Sequence, residues 1–274
     1  MKLLVCMMAL MTAIPGASAD SPRVVCLGGV VTEIVWALGA GSMVVAVDDS
    51  SIYPEDAAAR PKVGYFRMIS AEGVLSLRPD LIVAHEHAGP PEALSQLERA
   101  GVKLIRVTAA NSIAGCLQRI REIGGAIGRP EAAEALEKHV ALNLAAWSDT
   151  PPGPAPRVLF VFAHGAGALN VAGTDTAADE IIRLAGGRNT MTGFRGYRPL
   201  TAEAIVEADP EVVLLTTGSL GGLGGIEAVW QVPGMKATSA FTHRRVAAMD
   251  DLLLLGFGPR LPDALRELSG LLFP

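Results

Sequence analysis

In the run Gly64-Tyr65-Phe66-Arg67, a phenol and a guanidinium lie two residues apart. A phenolate is a hard oxygen donor suited to ferric iron, and tyrosine is among the side chains that hold heme iron. A trivalent metal and the neighbouring Arg67 cation would both favour the anion. Arg67 could also grip a ligand carboxylate through two parallel hydrogen bonds. The same spacing suits a half-buried aromatic beside a surface arginine, so the run alone leaves both readings open.

His85, Glu86 and His87 form a second cluster. On a strand, His85 and His87 point to one face. They follow an apolar run and so fall at the end of a strand where open α/β sheets take their ligands. They offer a metal or ligand contact, and with it the alternative of a secreted metal-dependent hydrolase. They also suit plain solvated residues at a strand end. Other catalytic patterns are missing: no Gly-x-Ser-x-Gly, no phosphate-binding Gly-x-x-x-x-Gly-Lys loop and no His-Glu-x-x-His occurs. Gly221-Gly222-Leu223-Gly224-Gly225 lacks dinucleotide spacing and reads as a flexible lip loop. A binding protein is therefore expected rather than an enzyme.

The elements that must position these residues come in two copies. Residues 71–84 and 202–215 share a register in which Glu72 matches Glu203 and Pro79 matches Pro210. Upstream, Arg67 falls on Arg198 and Ser70 on Thr201, so Tyr197 and Arg198 take the place of Phe66 and Arg67. A unit repeated at this distance implies two similar lobes rather than a solenoid, and a cleft between lobes is a common ligand site.

Each half alternates strands and helices. The first half reads as strands at Arg23–Leu27, Met43–Val47, Pro61–Val63, Leu81–Ala84 and Val102–Val107. Its helices begin at Thr32, Ser70 and Pro91. A helix through Ile113, Leu117, Ile120 and Ile123 follows, then a long one over Glu131–Trp147, which holds no glycine or proline. The second half restarts with a strand at Val158–Phe162. It continues with a helix over Asp175–Ala185, strands at Val212–Leu215 and Arg245–Met249, and a terminal helix over Pro259–Leu272. The pattern predicts an α/β fold of two Rossmann-like lobes with mainly parallel sheets, joined by one long helix. The divisions expected are a leader over 1–19, an N-terminal lobe over 20–128, a connecting helix over 129–150 and a C-terminal lobe over 151–274.

The start has the form of a secretory signal: Lys2, an apolar run over Leu3–Ile14, and Ala17-Ser18-Ala19 before Asp20. Cys6 lies in this run without the small residues of a lipoprotein signal. The apolar run is too short for a good transmembrane helix, so a soluble, exported chain that is not membrane-embedded is expected; a monomer is expected as well. Its formal net charge is −5 with no basic tract, which argues against nucleic acid. Cys26 and Cys116 could form a disulfide, but each sits in an apolar context that suits a small buried hydrophobe.

Several stretches together resemble the periplasmic hemin-binding proteins of bacterial heme ABC importers. They are Val63–Asp80, Ala88–Pro91, Val171–Asp179, Gly196–Glu203 and Met249–Arg260, with Gly-Tyr-x-Arg and Gly256-Phe257-Gly258-Pro259-Arg260 the most specific to the heme group. The wider family includes cobalamin, siderophore and metal binders, so a cobalamin or ferric-siderophore cargo is the alternative within the same fold. The resemblance implies a periplasmic protein that takes heme as its transported ligand and passes it to a permease with its ATPase subunit. It implies that Tyr65 ligates the iron, that His164 of the second lobe is a further candidate ligand, and that Arg67 contacts a propionate or shields the phenolate. Phe66, Tyr197, Arg198, His85 and His87 become cleft contacts. Glu72 and Glu203 become paired docking points for permease arginines. The loop after Gly218 lacks an arginine that some members carry there.

Overall fold

The structure is a computed structural model that describes residues 21–147, 153–163 and 169–273. The first half contains β1 (Val24–Leu27), α1 (Gly29–Ala37), β2 (Val44–Val47), α2 (Glu55–Ala58), α3 (Ala71–Ser76), β3 (Leu81–His85), α4 (Pro91–Arg99), β4 (Lys103–Val107), α5 (Ile113–Ala126) and α6 (Pro130–Ala145). The second half contains β5 (Arg157–Phe162), β6 (Asn170–Ala172), α7 (Ala177–Leu184), β7 (Arg188–Asn189), β8 (Tyr197–Pro199), α8 (Ala202–Ala208), β9 (Val212–Thr216), α9 (Thr217–Leu223), α10 (Ile226–Val229), α11 (Ser239–Thr242), β10 (Val246–Met249), α12 (Asp251–Leu255) and α13 (Leu261–Leu272).

β1, β2, β3 and β4 form a parallel sheet in the order β2-β1-β3-β4. Helices cover both faces, which is why β1 is uniformly apolar and wholly buried. The second sheet runs β10-β9-β5-β6-β8, with β7 also beside β5. β5, β7, β9 and β10 are parallel, whereas β6 and β8 are antiparallel additions. The fold is the expected α/β arrangement of two lobes joined by a long helix. The sequence reading missed β6 and β8, which are three residues each and carry no apolar run.

The repeat is visible in the helix caps. Ser70 Oγ accepts from Gly73 N at 3.3 Å, and Thr201 Oγ1 accepts from Ala204 N at the same distance. These bonds occupy orphan amides in the first turns of α3 and α8.

Three local expectations are corrected. The first helix starts at Gly29 rather than Thr32, because its amide groups find acceptors in a distant loop. Gly28 N donates to Asp48 Oδ1 and Gly29 N to Ser50 Oγ, both at 2.9 Å. Residues 61–63 form a single bridge between Val47 and Lys62 instead of a strand. The glycine run at 221–225 is not a loose loop. Thr216 caps α9 by accepting from Ser219 N, α9 continues through Leu223, and Gly224 ends it at φ +96°.

Cys26 and Cys116 are free and buried, and burial pushes both thiols up to about 12. They belong to one continuous apolar core. It runs from β1 and α1 through α5 and α6 into β5, β9 and the leucines of α13. Smaller cores lie behind each lobe's remaining sheet face. Helix α6 packs on α5 of the first half and on α13 of the second.

Candidate functional site

The Tyr65 turn is stitched to its surroundings by main-chain bonds. Asp49 N donates to Gly64 O at 3.0 Å, Gly89 N to Phe66 O at 2.9 Å and Ile69 N to Gly89 O at 3.0 Å. Gly64 has φ +88°, a conformation that favours glycine. This anchoring leaves Tyr65 41% exposed while Phe66 is buried directly behind it.

Tyr65, Phe66, His85 and His87 form a chain of edge-to-face rings, with successive centroids 4.9, 5.5 and 5.3 Å apart. Such contacts hold ring orientation as well as burying area. Arg67 lies over the Phe66 ring at 5.3 Å. On the second lobe, Tyr197 packs against Phe162 at 6.2 Å, and Arg198 lies over Phe194 at 4.7 Å. Neither Arg67 nor Arg198 has a carboxylate partner among the described residues. Each cation is carried on an aromatic ring and stays free to meet an anion.

The two lobes sense each other here. Tyr197 is 46% exposed, yet partial enclosure by its neighbours raises its phenol above the ordinary value, and the Arg67 charge draws it back. The structure thus brings Tyr65, Phe66, Arg67, His85 and His87 together on one lobe and sets Tyr197 and Arg198 on the other. His164 lies outside the described residues. Glu72 and Glu203 are exposed in the first turns of α3 and α8, apart from the aromatic cluster.

His85 is neutral at pH 7. Burial comes first, and Arg119, His87 and Arg67 add to it, lowering its pKa to about 4. The His87 N–H donates to His85 Nδ1 at 3.2 Å, which places the remaining ring proton on Nε2. Gly28 makes room for this ring, since a Cβ there would stand 2.9 Å from the His85 Cβ. An unfolded histidine titrates near 6.5, so below that pH the unfolded chain binds a proton that the native chain resists. Native stability is whole above about pH 6.5 and falls by roughly 3 kcal/mol as pH drops through 4. Urea unfolding at pH 7.5 and pH 4 should show this slope, and His85→Phe should flatten it.

The hydrolase reading of residues 85–87 finds no support in the geometry. The Glu86 carboxylate accepts from Ala109 N at 3.0 Å. Among the described residues, no three His, Cys, Asp or Glu side chains are gathered to hold a metal ion.

Sequence reasoning missed a set of buried polar residues. Asp48, fully buried, accepts from Gly28 N, Ser50 N, Ser50 Oγ and Ser51 Oγ. Arg119 is buried between the lobes, and Glu33 is buried against Arg260. Thr32 and Glu33 within the otherwise apolar α1, and Arg119 between Cys116 and Ile120 of α5, were the available signals.

The two-lobed fold is that of a binding protein, and the chain belongs to the periplasmic binding protein family, whose profile covers residues 24–253. The periplasmic heme-binding protein RhuT from Roseiflexus sp. RS-1 superposes with a TM-score of 0.88. It shares 40% identity, and the match covers 93% of this chain and 98% of that one. YvrC of Bacillus subtilis strain 168, an uncharacterized ABC transporter substrate-binding lipoprotein, is 30% identical over 248 residues, 89% of this chain and 77% of the relative. A vitamin B12-binding protein of Yersinia pestis is 28% identical over 224 residues, covering 79% of this chain and 76% of that one. These relatives are binding proteins. Among the described residues, no helix is long and apolar enough to cross a membrane.

Proposed function

We propose that this chain captures heme in the cleft between its lobes and delivers it to an ABC permease. The observation that carries this reading is the exposed Tyr65 phenol, backed by Phe66 and flanked by the carboxylate-free Arg67. The phenol supplies a ligand for ferric iron. Arg67 on one lobe and Arg198 on the other supply charge for the two propionates, and Phe66, Tyr197 and the histidines line the apolar faces of the porphyrin. The chain works in the periplasm after export through residues 1–19, with lobes at 20–128 and 151–274 joined across 129–150. Its partners are heme and the permease with its ATPase subunit. His164 is a candidate for a second contact to iron.

Likeness to RhuT, a heme-binding protein, supports the cargo. The vitamin B12-binding relative is the reason to keep a corrinoid as the second reading. A corrinoid's amide side chains make poor use of two free guanidinium groups, and its cobalt already carries its own axial base.

Titration of the apoprotein with hemin and with cyanocobalamin separates the two. Hemin should saturate the protein with a shifted Soret band and a ferric–phenolate charge-transfer band. Cyanocobalamin should give no saturable change. The reverse outcome would transfer the cleft to the corrinoid.

A further inference from the structure

The segment Gly256-Phe257-Gly258-Pro259-Arg260 is spent on contact between the lobes. Phe257 is buried in the shared core. Arg119, 1% exposed, donates from Nε to Thr108 O at 2.7 Å and from Nη2 to Ala110 O at 3.1 Å, both in the loop after β4. Its Nη1 donates to Gly256 O at 3.1 Å and Phe257 O at 3.0 Å, across the lobe boundary. Cys116 Sγ donates to Gly258 O at 3.2 Å. Arg260 forms a two-point pair with the buried Glu33, at 2.9 and 3.0 Å, and its guanidinium lies 3.6 Å from the centroid of the Tyr53 ring.

We infer that Arg119 and Arg260 are positioning residues for the cleft, locking the lobes at one separation before cargo arrives. The connecting helix and the shared apolar core already join the lobes, but apolar contact is non-directional and does not by itself fix their mutual angle. Gly256–Arg260 adds a directional point of attachment beside them. The guanidinium fork is planar and rigid, so its acceptors must keep their mutual geometry. Rocking the lobes would pull Gly256 and Phe257 from Arg119 and leave a buried cation short of acceptors. The same motion would split Arg260 from Glu33. Gly258 allows the close fit, since a Cβ there would stand 3.2 Å from Val30 Cγ2 and 3.4 Å from the Glu33 carboxyl. The link from lobe spacing to affinity rests on the heme reading, whereas the lock itself does not.

Pulsed dipolar spectroscopy tests both. Nitroxides are placed on Glu98→Cys in α4 and Glu207→Cys in α8, both exposed, while Cys26 and Cys116 are buried from the label. The protein with native Arg119 and Arg260 should give one narrow distance distribution, the same with and without hemin. Arg260→Gln should broaden it and weaken hemin binding about tenfold, with Arg260→Lys in between. Arg119→Lys is the second variant, and circular dichroism melts verify that each is folded. A narrow, unshifted distribution in Arg260→Gln overturns the lock. A broadened distribution with unaltered hemin affinity overturns the positioning role. Should hemin fail to bind the unsubstituted protein, the heme reading falls, and the distributions still decide the lock.

Discussion

Replacing Tyr65 by alanine should weaken hemin binding by about 3 kcal/mol, roughly a hundredfold, and abolish the ferric–phenolate band. The size follows from what is lost and what stays. On the proposed reading the iron would lose an anionic oxygen ligand, while Phe66, Tyr197 and the two arginines, held by their own ring contacts, would still offer apolar and ionic contact. Tyr65→Phe sharpens the test. It keeps the ring that packs edge-on against Phe66 at 4.9 Å and removes only the hydroxyl. It should therefore lose the band as completely as alanine does, with fold and melting temperature unaltered. Spectral and equilibrium titrations provide the readout. A phenolate band that survives in Tyr65→Phe would hand the iron to another ligand.

Reversing Glu72 and Glu203 together to arginine should leave hemin affinity unchanged but cut permease-coupled ATPase stimulation by at least about tenfold, mostly through slower association. Both carboxylates are exposed on the first turns of capped helices at repeat-related positions. Each benefits its helix through the macrodipole, so reversal also costs the fold about 0.3–1 kcal/mol per site. That cost is too small to unfold the chain, and a melting curve separates it from the docking effect. The sites lie on different lobes, so the single reversals should each give part of the loss and add nearly independently. Reconstituted transporter in liposomes gives the measurement. Full stimulation by the double variant would remove these residues from the docking surface.

The local parts of this architecture were legible in the sequence. Buried parallel strands announce themselves as unbroken apolar runs, as in Val24–Leu27 and Val158–Phe162. Ser70 and Thr201 signal helix starts through side-chain chemistry that needs only three residues of context. Tyr65 and Arg67 stood out by residue type and by the stretch around them. What was not legible depended on partners far along the chain. α1 starts early because Asp48 and Ser50 hold its amides, some twenty residues away. Gly256–Arg260 stood out only as a stretch specific to the resembled group, because nothing nearby in sequence shows that Arg119 and Glu33 await it. The antiparallel strand Tyr197–Pro199 is exposed throughout and has no apolar signature, yet it carries Tyr197 and Arg198. The glycines at 221–225 suggested looseness, and a threonine cap overrode them.

The first strand and the last helix contribute to one continuous apolar interior. A nascent chain that emerges from its N-terminus therefore cannot finish that interior until Leu272 is out. Heating should take the halves apart in one step, and a chain that stalls before its final helix would leave leucine and valine side chains open to chaperones and proteases.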